Sequence, residues 1–164
     1  MGRGHEVRGR ALLTAFAQHS GATFVCSPPD QPAGLDGVCV RNGQVCAVVE
    51  GKSRSGYPLA KIRALGASLL ISASKLTGLA RGAVALGVAG FVVAEFADGY
   101  RWYWRVCNPD GSPCFPWDER RSITQADSIG TGPIERTNAY LPLDNGVCWY
   151  APEELALDST VSRV

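Results

Sequence analysis

The chain has 164 residues, enough for one domain with a real hydrophobic core, so folding requires neither disulfides nor a structural metal. Its 46% apolar and 19% charged composition, with nineteen Gly and ten Pro, excludes a disordered or low-complexity chain and predicts short elements broken by turns. The net charge of +1 conceals a segregation: residues 1–81 carry ten Lys/Arg against four Asp/Glu (+6), and residues 82–164 carry six against eleven (−5). A basic first half suits a polyanionic substrate, and chance segregation on a solvated surface accounts for it equally well.

Six cysteines, at 26, 39, 46, 107, 114 and 148, form no C-x-x-C pair and have no nearby His doublet, which argues against zinc. Cys26, Cys39, Cys46 and Cys107 fall in apolar, strand-like runs, where a free thiol acts as a small core residue. With no signal peptide in view, this reads as a reducing, cytoplasmic setting. The longest charge-free apolar run, 82–94, is too short to span a bilayer, so no membrane partner is expected.

Residues 4–20 place Val7, Leu12, Ala15 and Phe16 at helical spacing and stop at Gly21, which predicts a helix. A β-like run at 23–26 precedes a loop at 27–34, whose Pro28, Pro29 and Pro32 exclude regular structure. Residues 35–40 and 44–52 read as strands joined through Arg41-Asn42-Gly43, a strong hairpin signal. From 58 to about 80, Leu59, Ile62, Leu69, Ala73, Leu76 and Ala80 recur with a 3.6 period behind Pro58. This predicts one long helix, weakened or ended by Gly78 and Gly82. Residues 88–97 and 100–107 form a second hairpin turning at Asp98-Gly99, with Trp102 and Trp104 on one face and Tyr103 on the other. Beyond Asn108 the periodicity fades into a turn-rich connector, and only 138–150 reads as partly ordered, with 147–150 as a last strand. The expectation is an α/β fold with a core over 1–107 and a loop-rich, acidic extension over 108–164 packed on it, a single domain overall.

Hydrolysis of a phosphodiester needs charge neutralisation, a hydroxide and stabilisation of the departing oxygen, all of which a hard divalent ion held by carboxylates supplies. In Glu50-Gly51-Lys52 the acid and the lysine stand at i and i+2 of a strand, so both project from one face. The hairpin register decides whether Asp36 joins them. A two-residue Asn42-Gly43 turn pairs Asp36 with Val49, facing away from Glu50. A three-residue Arg41-Asn42-Gly43 loop, with Gly43 left-handed in a G1 bulge, pairs it with Val48 and shares the face. A metal site therefore requires the bulged loop.

An acid on one strand, Glu-x-Lys on the next and a helix on either side resemble the PD-(D/E)xK nuclease superfamily, which includes restriction endonucleases and Holliday-junction resolvases. The resemblance covers about 4–107 and rests on the order α-β-β-β-α-β more than on the short motif; Leu35 stands where the family name places Pro. It implies a restriction-endonuclease-like core, a central mixed sheet flanked by helices, and a magnesium- or manganese-dependent deoxyribonuclease acting on DNA, usually as a homodimer. Asp36 and Glu50 would be metal ligands, the Gly51 carbonyl would lie near the ion, and Lys52 would be the catalytic lysine. Some branches add an acid on the first helix, where Glu6 stands; an exposed pair with Arg10 is the other reading of Glu6.

Lys61, Ser68, Ser72 and Lys75 fall within one quadrant of the expected long helix and, with Arg54 and Ser53, could touch phosphates; a solvated helix face explains them equally well. Trp102, Trp104, Trp117 and Trp149 could stack on bases, though strand aromatics more often pack in cores. The alternatives to a nuclease are a non-catalytic nucleic-acid-binding or assembly module on the same fold, and a protein-binding inhibitor acting through the acidic half.

Overall fold

The computed structural model describes residues 2–28, 34–124 and 133–152, with backbone alone for 2, 3, 5, 6 and 124. In chain order the elements are α1 (Gly2–His19), β1 (Thr23–Cys26), β2 (Gly37–Arg41), β3 (Gln44–Arg54), α2 (Leu59–Ala64), β4 (Ser68–Ser72), α3 (Ala73–Leu86), β5 (Ala89–Phe96), β6 (Arg101–Cys107), β7 (Asp118–Thr124), β8 (Ile134–Pro142) and β9 (Val147–Tyr150). A 3-10 turn, Leu143–Asn145, lies between the last two strands. The expected helix and both hairpins are present.

Six strands make a mixed sheet in the order β1-β2-β3-β5-β6-β9. The β3–β5 pair is parallel, with α3 on the connection between them, and all other neighbours are antiparallel. Parallel neighbours need such a crossover and are covered on both faces, and Ala47, Val48, Val49 and Glu50 of β3 are accordingly buried in succession. Alternation along the strands sorts the side chains. Ala47, Val49 and Val93 pack with Leu12, Leu13, Phe16 and Ala17 of α1. Val48, Val92, Ala94, Trp104 and Val106 pack with Leu76, Leu79 and Ala83 of α3. The two helices therefore cover opposite faces, giving the mixed sheet flanked by helices that the resemblance implies.

The expected long helix over 58–80 is instead α2, β4 and α3. The break falls at Gly66 (φ +112) and Ala67 (φ +53), conformations that end a right-handed helix. Leu69 and Ile71 of β4 then enter the α3-side core, and β4 pairs antiparallel with β8. The 3.6 period was real in the spacing of Leu69, Ala73 and Leu76, but a β partner from the far end of the chain overrode it. Helix α2 is oriented from the β5–β6 turn: both carboxylate oxygens of Asp98 accept the Leu59 N–H, at 3.2 and 3.1 Å.

The C-terminal region holds more regular structure than its pattern suggests. Strands β4, β8 and β7 form a second, antiparallel sheet, and β9 adds to the edge of the first. Indole N–H groups join the two sheets: Trp102 donates to the Leu143 carbonyl at 3.1 Å and Trp104 to that of Pro142 at 2.8 Å. These two tryptophans are therefore core anchors, not base-stacking platforms. Trp149 packs at the α1 side, with ring centres 5.9 Å from Phe16 and 5.1 Å from His19. Of the four cysteines expected to be interior, Cys39 and Cys107 are buried and Cys46 is half-buried, while Cys26, on the edge strand, is exposed. Among the described residues no helix is long and apolar enough to cross a membrane.

Candidate functional site

The β2–β3 hairpin settles where Asp36 stands. Arg41 pairs with Gln44 across Asn42 (φ +51) and Gly43 (φ +75), so the turn has two residues, both left-handed, as in a type I′ turn. The expected three-residue loop with a G1 bulge is not formed. The extra residue sits one step further in: Val40 pairs with Val45 but Cys39 with Ala47, leaving Cys46 as a bulge. Gly37 then pairs with Val49, where the ladder ends, and Asp36, in the bend just before β2, donates its N–H to the Val49 carbonyl at 3.2 Å. A different device from the one the sequence suggested thus brings Asp36 close to Glu50, near enough for its charge to act on that carboxyl.

Glu50 is fully buried, an uncommon place for a carboxylate. Its Oε1 lies 2.9 Å from the Lys52 Nζ, on the same strand, and 3.1 Å from the Lys75 Nζ, in the first turns of α3. Its Oε2 is buried and accepts no hydrogen bond among the described residues. Burial pushes the Glu50 carboxyl above its ordinary range; Lys52 pulls it back, Asp36 raises it further and Lys75 lowers it. Desolvation wins because the carboxylate is wholly enclosed while both ammoniums are part-exposed, at 24% and 36%.

Asp36 is oriented by the neighbouring strand: its Oδ2 accepts the Gly51 N–H at 2.9 Å. Gly51 thus meets the acid through its amide. A side chain at Gly51 would touch Leu13 of α1 at 3.2 Å, so the glycine also lets the helix lie close beneath the strand.

The outer residues do not gather as one helix face. Lys75 reaches Glu50, as above. Lys61 sits on α2, with its ammonium 4.4 Å from the centre of the Tyr57 ring. Ser68 opens β4, and its hydroxyl donates to the Gly66 carbonyl at 3.4 Å. The Arg54 guanidinium donates to the Leu70 carbonyl, tying the end of β3 to β4. The side chain of Glu6 lies outside the described residues. Sequence reasoning singled out Lys75 but missed its partner, because the expected helix put it in line with Lys61 and not over β3.

Among the described residues no group of three or more His, Cys, Asp and Glu side chains gathers, so the acidic donors are Asp36 and Glu50. Two carboxylates, one of them with an unsatisfied buried oxygen, are hard ligands. That set fits magnesium or manganese, since magnesium is commonly held by one or two carboxylates with waters and substrate phosphates completing its shell. It does not fit zinc, which takes His and Cys.

No protein-family model matches the chain, and no curated protein matches it. Among solved structures it is similar to the Holliday junction resolvase Hjc of Archaeoglobus fulgidus, an archaeal hyperthermophile. The identity is 15%, over 61% of this chain and 71% of that one, with a TM-score of 0.45.

Proposed function

We propose that the chain is a divalent-metal-dependent nuclease that hydrolyses phosphodiester bonds in DNA, with a catalytic core over about 1–107 and an extension over 108–164 covering it. The observation that carries this is Glu50: a fully buried carboxylate with one oxygen unsatisfied, beside a second acid and under two lysines. A fold gains nothing from such a group, whose desolvation outweighs its pairing. Magnesium or manganese, when bound by Asp36 and Glu50, would neutralise phosphate charge and make a water nucleophilic at neutral pH. The Gly51 N–H fixes the rotamer of Asp36. Lys52, whose ammonium is part-exposed, faces the reacting phosphate and stabilises charge developing on its oxygens. Lys75 adds a second cation on the same face, and Arg54, Lys61 and Ser68 are assigned to the surrounding DNA backbone.

The test is cleavage of supercoiled plasmid and of branched synthetic DNA by the full chain with and without magnesium. Lys52→Ala should lower the rate by about 10²–10³-fold, and Glu50→Gln should abolish it. A Lys52→Ala protein that cuts at the wild-type rate would sink the assignment. That only two acids are grouped among the described residues favours a second reading, a non-catalytic nucleic-acid-binding or assembly module. Such a module would bind DNA without cutting it and would bind manganese no differently after Asp36→Asn.

A further inference from the structure

Helix α3 touches both halves of the site. Through Lys75, in its first turns, it meets Glu50. Three residues later, on the same side of the helix, Gly78 lies backbone to backbone against Gly34, two residues before Asp36. A Cβ built on Gly78 would stand 2.0 Å from the Gly34 carbonyl oxygen, 2.7 Å from its carbonyl carbon and 2.9 Å from its Cα. No side chain can yield at that contact, because both surfaces are main chain. One turn on, the tight contact of a Cβ at Gly82 would be the Leu35 Cδ2, at 2.4 Å, the far end of a side chain that can rotate away, with Val48 at an ordinary 3.4 Å.

We infer that Gly78 is a positioning residue, the seat on α3 that fixes where Asp36 stands relative to Glu50. The segment cannot absorb a displacement freely, because Asp36 is held on three sides. Its N–H bonds the Val49 carbonyl at 3.2 Å, its carbonyl accepts the Ser27 N–H at 2.8 Å, and its Oδ2 accepts the Gly51 N–H. Opening a 2.0 Å clash to an ordinary van der Waals separation requires a shift on the order of 1 Å. If the 34–36 segment gives way, Asp36 moves off Gly51. If α3 gives way, Lys75 moves off Glu50. Either shift exceeds the ~0.2 Å tolerance of a metal site. The inference rests on the nuclease reading only for its metal and cleavage consequences; the placing of Asp36 is a property of the fold.

The experiment compares the full-length wild type with Gly78→Ala, Gly82→Ala and Gly34→Ala. Three measurements are made: the Gly51 amide resonance in ¹H–¹⁵N NMR, manganese affinity by calorimetry, and plasmid cleavage. The expected result for Gly78→Ala is a Gly51 amide that loses the shift imparted by Asp36 and an affinity at least tenfold weaker, with cleavage partly restored by excess manganese. Gly82→Ala should stay near wild type. Gly34→Ala, whose Cβ would come within 3.0 Å of the Gly78 Cα, should lie between them, and it carries the test if Gly78→Ala does not fold. A Gly78→Ala or Gly34→Ala protein with the wild-type Gly51 resonance and manganese affinity would overturn the inference. If the wild type itself neither binds manganese through Asp36 and Glu50 nor cuts, the nuclease reading fails, and the Gly51 resonance still decides whether Gly78 places Asp36.

Discussion

Replacing Glu50 by glutamine should stabilise the metal-free protein while removing cleavage. The carboxylate is fully enclosed, its Oε2 is unsatisfied, and the lysines at 2.9 and 3.1 Å are both part-exposed, so their charges stay hydrated once the carboxylate charge is gone. Replacing a whole buried ion pair by apolar groups is often neutral or gains about 1–4 kcal/mol, and the penalty for removing one partner, a buried charge left uncompensated, does not arise here because both lysines are part-exposed. With the glutamine amide still needing partners, the lower end applies: about 1 kcal/mol, or a rise in Tm of about 2–4 °C for a chain of this size. The pH dependence has a fixed sign. The folded-state pKa of Glu50 is raised, so the stability it contributes is fully present below the unfolded value of about 4.3 and is lost as pH rises through the folded value. The advantage of Glu50→Gln should therefore be close to zero near pH 4 and widen toward neutrality. Circular-dichroism melts of both proteins in chelator, from pH 4 to pH 8, measure this directly. Adding manganese at about 100 times its Kd should then raise the wild-type stability by about 2.7 kcal/mol and leave the variant unmoved. A variant less stable than wild type at pH 7, or a gap independent of pH, would refute the argument that this carboxylate is held at the expense of the fold.

Other outcomes follow from single contacts. Gly43→Val places a branched residue at φ +75 and should cost about 1–2 kcal/mol in urea unfolding; an unchanged midpoint would mean the hairpin does not turn this way. Trp104→Phe removes the 2.8 Å bond to the Pro142 carbonyl that joins the two sheets, with an expected loss of about 1–3 kcal/mol by the same assay. The exposed Cys26, Cys114 and Cys148 should be alkylated rapidly at pH 8. Cys39, whose thiol burial pushes up to about 11, and Cys107, raised by burial, should react only as the protein unfolds. Mass spectrometry of the labelled peptides reads this out, and a Cys39 labelled as fast as Cys114 contradicts it.

Where local signals agreed with each other, the chain was legible. Helix α1 has its apolar stripe and its left-handed Gly21, and the turns at Asn42-Gly43 and Asp98-Gly99 carry residues that tolerate positive φ. The motif itself was legible because Glu50 and Lys52 share a face in any strand. Three features were not. Residues 68–72 satisfy a helical period, yet their strand is created by pairing with 138–142, some seventy positions away. The bulge at Cys46 carries no turn signal and is visible only in how β2 and β3 pair. The partner of Lys75 was hidden once 58–80 was taken as one helix.

By itself the sequence determined the element order through β3, the strand period of the two hairpins, and the acid-and-lysine pair at 50 and 52, because these depend on residues a few positions apart. Only the tertiary structure decided that Asp36 comes close to Glu50, that Glu50 is fully buried under Lys75, and that Gly78 lies main chain to main chain against Gly34. Each of those depends on a bulge, a crossover helix or a close main-chain approach between segments distant in the chain. Spacing along the chain carries no record of such meetings.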